Sequence, residues 1–148
     1  MHPRLERLHA FWQERCPPGR LPSRADFSMR ALKPWLPNVA IIGVEGSPPR
    51  FKIRLMGTAC VRYAQADYTG RYIDECGAPE DRESWLAPYR ACVAGKRPVW
   101  ADGIPLGEDL RGQNTQRLYL PLSQDGVNVD FILACVVRLE EAGRFRAA

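Results

Sequence analysis

Two histidines, five cysteines and a few paired acids are the side chains of this 148-residue chain that could carry chemistry. His2 and His9 both fall in the opening stretch MHPRLERLHAFW, so a Ser-His-Asp triad or a Cys-His dyad would have to take its base from there. The same scarcity disfavours a His-ligated zinc or haem. A lone His9 on a helix reads as a packing residue before it reads as a ligand. The cysteines are Cys16, Cys60, Cys76, Cys92 and Cys135, odd in number and without C-x-x-C spacing. That pattern is neither a redox motif nor a zinc site. Cys60, Cys92 and Cys135 sit among apolar neighbours and read as small buried hydrophobes. Arg62 and Arg90 lie near two of them in sequence, but an activated thiol needs its cation close in space. The acid pairs Asp74/Glu75 and Glu80/Asp81 fall where loops and helix starts are expected. A carboxylate works as an acid near neutral pH only when it is buried. Neither G-x-x-x-x-G-K-[ST] nor G-x-G-x-x-G occurs, so no phosphate cradle is indicated. No catalytic residue and no metal-ligand set is assigned. The expectation is a protein that binds, not an enzyme.

Composition agrees with a single globular domain. Hydrophobic residues make up 45% of the chain and charged residues 26%, enough for a core without metal or disulfide staples. The net charge of +4 is spread out, with no run of five basic residues, so nucleic-acid binding is disfavoured. No stretch approaches the ~20 apolar residues of a membrane span, and the first residues lack a signal-peptide h-region. The expected location is the cytoplasm, without membrane contact.

The elements that would position a site follow from periodicity. Residues 3–16 form an amphipathic helix, with Leu5, Leu8, Trp12 and Cys16 at helical spacing and Pro17-Pro18-Gly19 as its stop. Its apolar stripe must pack on its own domain or on a second copy. The proline-rich stretch 20–38 allows at most a short helix at 27–33, capped by Asp26 or Ser28. VAIIGVE (39–45) and RFKIRLMG (50–57) read as a hairpin around Gly46-Ser47-Pro48-Pro49; Phe51, Ile53 and Leu55 share one face. Thr58 caps a helix over 59–66, and a longer helix spans 79–94 with Pro88 as a kink. Strands follow at 97–104, 118–120 and 129–139, with loop 105–114 and an Asp125-Gly126 turn between them. The chain divides into a helix at 1–19, a domain at 20–140 and a tail at 141–148.

A hairpin, a helical crossover and a three-strand meander make an α+β fold: a five-stranded antiparallel sheet with helices on one face and the N-terminal helix beside it. Sheet and helices leave a cavity between them. Met56, Tyr63, Ile73, Trp85, Tyr89, Trp100 and Phe131 are the residues placed to line it, and such a wall suits a small organic ligand. The plainer alternative is that these side chains only fill the core.

The runs LPSRADF (21–27), WLPNVAIIGVE (35–45), RFKIRLMGT (50–58), DYTGRYIDE (67–75) and YLPLSQDGVNVDFIL (119–133) carry a resemblance. The chain resembles an alphaproteobacterial PAS-type family once known only as a domain of unknown function. That family shows LP-x-R-x-D, R-x-x-G-T, D-x-T-G-R and PL-x-x-D-G in this order. Gln65-Ala66 stands where the family often has glycine. The resemblance implies strand order 2-1-5-4-3 and a sensory or regulatory domain that binds a small ligand or a partner and signals in trans to an unidentified signalling protein. It also implies a homodimer through the N-terminal helix, with Leu5, Leu8, Phe11 and Trp12 as the contact. A covalent flavin adduct needs G-x-N-C-R-F-L-Q, which is lacking, and haem needs a pocket ligand, so both cofactors are disfavoured and none is named. Two other functions stay open. One is a ligand-free interaction adaptor. The other is a small enzyme on a ketosteroid-isomerase-like cone, for which Asp102 and Asp130 are the strand acids.

Overall fold

The computed structural model describes residues 1–103 and 114–139. The tail expected at 141–148 and, apart from Asn114, the loop expected at 105–114 lie outside the described residues. Among the described residues, helix α1 (Pro3–Arg15) precedes strands β1 (Val39–Glu45) and β2 (Arg50–Met56). Helices α2 (Thr58–Ala64) and α3 (Arg82–Gly95) follow, then β3 (Val99–Gly103), β4 (Asn114–Leu122) and β5 (Phe131–Leu139). The strands form one antiparallel sheet in the order β2-β1-β5-β4-β3, as the family resemblance implies.

Two apolar layers sandwich this sheet. On one face, Leu5, Leu8 and Trp12 of α1 pack with Phe27, Trp35, Ile41, Leu120 and Leu133. On the other, Trp85, Tyr89 and Cys92 of α3 pack with Ile42, Phe51, Ile53, Tyr119 and Ile132. Pro3 begins α1, and His2 caps it by accepting the Arg4 N–H on Nδ1 at 3.1 Å.

Several local expectations are corrected. Residues 27–32 are irregular, with turns at 29–32; the short helices of this stretch are 3-10 segments at Arg24–Asp26 and Lys33–Asn38. Asp26 caps backwards, accepting the Ser23 N–H at 3.0 Å. Pro34 and Pro37 each remove a donor, which favours a 3-10 segment over a full α-helix. Thr58 is the first residue of α2 and Gly57 its cap, without a side-chain bond. Gln65 ends α2 at φ 63, the left-handed conformation that glycine adopts without cost. On β2 the pairing of Ile41 with Leu55 and of Ile42 with Ile53 leaves Arg54 as an extra residue. This bulge sends Leu55 to the α1 face and Met56 to the α3 face.

The β4–β5 turn is organised by Asp125. Its Oδ1 accepts the Val127 and Asn128 N–H groups, both at 2.8 Å, and the Ser123 hydroxyl at 2.8 Å. These donors, the Asn128 and Val127 amides first, hold its carboxyl well below the usual carboxylate range. A depressed folded-state pKa gives stability that is complete above the unfolded value of about 3.9 and is lost as pH falls through the folded value. Asp125→Asn should therefore show a shallower fall in urea midpoint between pH 6 and pH 2 than the parent. An equal fall in both proteins would show that another group drives acid sensitivity. Gly126 takes φ 82 in this turn, with Arg20 packed over it where a Cβ would stand. Leu21 N–H donates to the Gly126 carbonyl and Ser123 N–H to the Pro22 carbonyl, tying the stretch after α1 to the sheet.

Candidate ligand cavity

A cavity of about 90 Å³ lies between the sheet and the helices of the α3 face. Its floor comes from the sheet: Ala40 and Ile42 of β1, Ile53 and Met56 of β2, Arg117 and Tyr119 of β4, Ala134 and Val136 of β5. Cys60, Tyr63 and Ala64 of α2, Tyr89 of α3 and Ile73 close it, and Cys135 also borders it. Alternation explains the floor, because every second residue of a strand faces the same side. Met56 would point away without the Arg54 bulge.

Of the seven residues expected to line a pocket, Met56, Tyr63, Ile73 and Tyr89 do so. The other three are corrected. Trp85 lies one helical turn before Tyr89 and is buried on the same face, but its ring covers Gly77 and does not reach the cavity. Trp100 and Phe131 pack on the opposite face, with the α1 layer. Trp100 follows Val99 on β3 and Phe131 precedes Ile132 on β5, and both of those neighbours face the α3 side. The wrong parity sends a side chain through to the other face.

Arg117 is a charged lining residue that sequence reasoning missed, along with Tyr119 and several smaller floor residues. The expected strand at 118–120 stopped one residue short of it. The available signal was its i, i+2 relation to Tyr119. Tyr119 itself was hidden, because Leu118 and Leu120 on either side leave no alternation to read.

The polar groups of the wall are unusual. Tyr89 and Tyr119 meet edge to face with centroids 4.9 Å apart. Burial pushes the Tyr89 phenol well above its ordinary pKa. Burial also raises Tyr119, while the charge of Arg117 and its hydrogen bond to the Tyr119 hydroxyl oppose the rise. Burial pushes the Cys60 and Cys135 thiols up to about 12. Protonated thiols are poor nucleophiles. Asp102 is exposed on β3, and Asp130 sits before β5 with Oδ2 accepting the Gln124 N–H at 3.0 Å. Neither lines the cavity, so the acid that a cone-type enzyme needs is not supplied by the described lining. His9 stands edge-on to Trp100 at 5.4 Å on the other face of the sheet.

The residues offered for contact with a second copy pack within this chain. Leu5 and Leu8 are 0% exposed and Trp12 is 6% exposed. Trp12 Nε1 donates to the Pro121 carbonyl at 3.0 Å. Phe11, half-buried, packs edge-on to Phe27 with centroids 5.9 Å apart. The stripe thus lies in the core of its own chain. Among the described residues, no group of three or more His, Cys, Asp or Glu is arranged to hold a metal, and no helix is long and apolar enough to cross a membrane.

No protein-family model and no curated protein sequence matches the chain. Solved structures do. The PAS domain of Bordetella pertussis BvgS is 14% identical over 99% of this chain and 93% of its own, with a TM-score of 0.59. A light-oxygen-voltage domain described with a flavin analogue is 16% identical over 76% of this chain and 84% of its own, with a TM-score of 0.57. A sensory box sensor histidine kinase from Vibrio cholerae is 15% identical over 74% of this chain and 86% of its own, with a TM-score of 0.53. With the 2-1-5-4-3 sheet, these likenesses show that the chain has the PAS fold.

Proposed function

We propose that this PAS-fold chain is a sensory or regulatory domain: it takes a small molecule into the cavity and passes the change to a signalling partner. The observation that carries the reading is the cavity itself, placed between sheet and helices and walled by apolar groups, two buried tyrosines and an arginine. A concave apolar site with a few placed polar groups is the usual form of a small-molecule site. The protonated thiols and a described lining without carboxylates support binding over catalysis. A second copy of the chain and a signalling protein are the partners in this reading. Leu5, Leu8 and Trp12 reach a second copy only if α1 leaves its own sheet. The proposed setting is the cytoplasm, in keeping with five cysteines that are all free.

Size favours one rival. A volume of about 90 Å³ is far below the ~300–1,000 Å³ that drug-sized ligands occupy. That observation supports a ligand-free interaction adaptor. Native mass spectrometry, with an absorption spectrum of the same sample, separates the two. A sensor should carry a reproducible extra mass, and Ala134→Leu should remove it. Ala134 is 8% exposed on the cavity floor, so three added carbons go into the void and the thermal midpoint should hold or rise. A clean apo parent, with Ala134→Leu changing only stability, would transfer the function to the adaptor reading.

A further inference from the structure

The positive residues are dispersed along the sequence, but their excess over the acids is not. Residues 1–38 hold seven Lys and Arg against three Asp and Glu, and residues 39–148 hold fourteen of each. The whole net charge of +4 therefore belongs to the stretch that forms α1 and the two 3-10 segments after it. That stretch is one layer, packed on a single face of the sheet. Arg4 ties its two halves together: Nη1 donates to Asn38 Oδ1 at 3.0 Å and Nη2 to the Pro34 carbonyl at 2.7 Å. Arg24 Nη1 donates to the Phe27 carbonyl at 2.7 Å. These oxygens are neutral, so they fix the guanidiniums without offsetting their charge. Arg7, Arg30 and Lys33 are exposed, and among the described residues none of the three has a carboxylate within ion-pair distance. His2 registers the resulting field: burial first, then the charges of Arg4 and Arg7, holds its pKa below the usual histidine value. Arg7 stands one turn after Arg4 on α1, and Lys33 directly precedes Pro34. The bonds of Arg4 thus bring the exposed cations of both halves to one side of the layer.

The apolar side chains left outside favour the same layer. The large hydrophobics exposed among the described residues are Met1, Met29 and Val127. The first two belong to the layer, and Met29 directly precedes Arg30. An apolar anchor with a polar rim is the anatomy of a protein–protein contact, where Met and Arg are enriched. On the signalling-partner reading above, we propose that this layer docks an acidic segment of the partner protein, its carboxylates at Arg7, Arg30 and Lys33 and an apolar side chain at Met29. Other anionic partners fit less well. A bilayer takes up the apolar face of an amphipathic helix, and α1 spends Leu5, Leu8 and Trp12 on its own sheet. A nucleic acid presents phosphates along its whole length, and the exposed Glu6, Glu14 and Asp26 stand among the cations and repel them. A protein segment of mixed composition meets both signs.

The probe is a short glutamate-rich peptide carrying one leucine, titrated calorimetrically into the full chain, with the same peptide made of lysine in place of glutamate. The glutamate peptide should bind, more weakly as salt rises, and the lysine peptide should not. Arg7→Glu, Arg30→Glu and Lys33→Glu together should weaken binding about tenfold or more, because three exposed attractions become repulsions. The matching reversal outside the layer, Arg62→Glu, Arg71→Glu and Arg90→Glu, should leave most of the binding in place. Met29→Ser should weaken the peptide with leucine and leave an all-glutamate peptide unchanged. If the first triple variant fails to fold, Arg7→Glu and Lys33→Glu singly replace it, each expected to weaken binding about two- to threefold. No binding of the glutamate peptide at millimolar concentration, or an equal loss in both triple variants, overturns the proposal. Tighter binding of duplex DNA or of phosphatidylserine vesicles at the same salt overturns the partner class. Cavity occupancy is read separately by native mass spectrometry: a retained ligand without peptide binding leaves the sensory reading standing and overturns only this surface.

Discussion

Trp12→Ala is expected to lower the stability of the domain by about 3–5 kcal/mol, the usual range for a large buried aromatic. Trp12 is 6% exposed and sits in the layer between α1 and the sheet. Two losses combine. The ring leaves a void among Leu5, Leu8, Leu120 and Leu122, and the Pro121 carbonyl loses the indole N–H that reaches it at 3.0 Å. Trp12→Phe separates them: it keeps most of the apolar area and should cost about 1 kcal/mol for the hydrogen bond, plus a smaller packing loss. Urea unfolding of the three proteins measures both steps. A cost below 1 kcal/mol for Trp12→Ala would mean that α1 does not dock on its own sheet. Light scattering adds an independent check. Since the stripe lies inside the chain, Trp12→Asp should unfold or undock the helix. A well-folded monomer from a dimeric parent would place the stripe at an interface.

Gly57→Ala is expected to cost about 3 kcal/mol, near the upper end for forcing atoms into a packed site. Its φ of −65° is ordinary for any residue, so the cost is steric. A Cβ at this position would run into the carbonyl oxygens of Leu36 and Pro37. These obstacles are backbone, and they are pinned. Trp35 Nε1 donates to the Arg4 carbonyl at 2.9 Å, and Asn38 Nδ2 to the Val136 carbonyl at 2.9 Å. Gly57 N–H itself donates to the Val39 carbonyl at 2.8 Å. Something must shift, and the element free to shift is α2, which brings Cys60, Tyr63 and Ala64 to the cavity. On the ligand-binding proposal, the variant should weaken ligand retention as well as stability. Gly95→Ala is the control: it ends α3, and its Cβ would meet only the flexible side chain of Arg97 at 3.4 Å. That change should stay within about 0.5 kcal/mol. Equal effects at the two glycines in urea unfolding would exclude the steric account of Gly57.

Hairpin, helical crossover and meander were legible because they depend on local punctuation. Gly46-Ser47-Pro48-Pro49, Gly95 and Asp125-Gly126 interrupt the chain where elements end, whatever the rest of the molecule does. The amphipathic stripe of α1 was legible for the same reason, since three- and four-residue spacing is a property of the helix alone. Even the scarcity of chemistry, with both histidines before residue 10, could be read directly.

Which side of the sheet each residue faces was not legible. Alternation reveals a face only when the other face is wet, and this sheet is covered on both sides. VAIIGVE, LYLPL, FILACVV and the VWA of β3 are apolar on both parities, so Trp100 and Phe131 could be placed on either side until the packing of α1 was known. The Arg54 bulge adds a second shift: it reverses parity within one strand, and nothing in RFKIRLMG marks it. The sequence by itself determined the elements, their order and the confinement of both histidines to the first ten residues, because those follow from neighbours along the chain. Only the tertiary structure decided that α1 spends its stripe on its own sheet and that Arg117 borders the cavity beside Tyr119. Both depend on contacts between segments roughly 30 to more than 100 residues apart, such as Trp12 with Pro121, and no local pattern encodes which distant surface a side chain will meet.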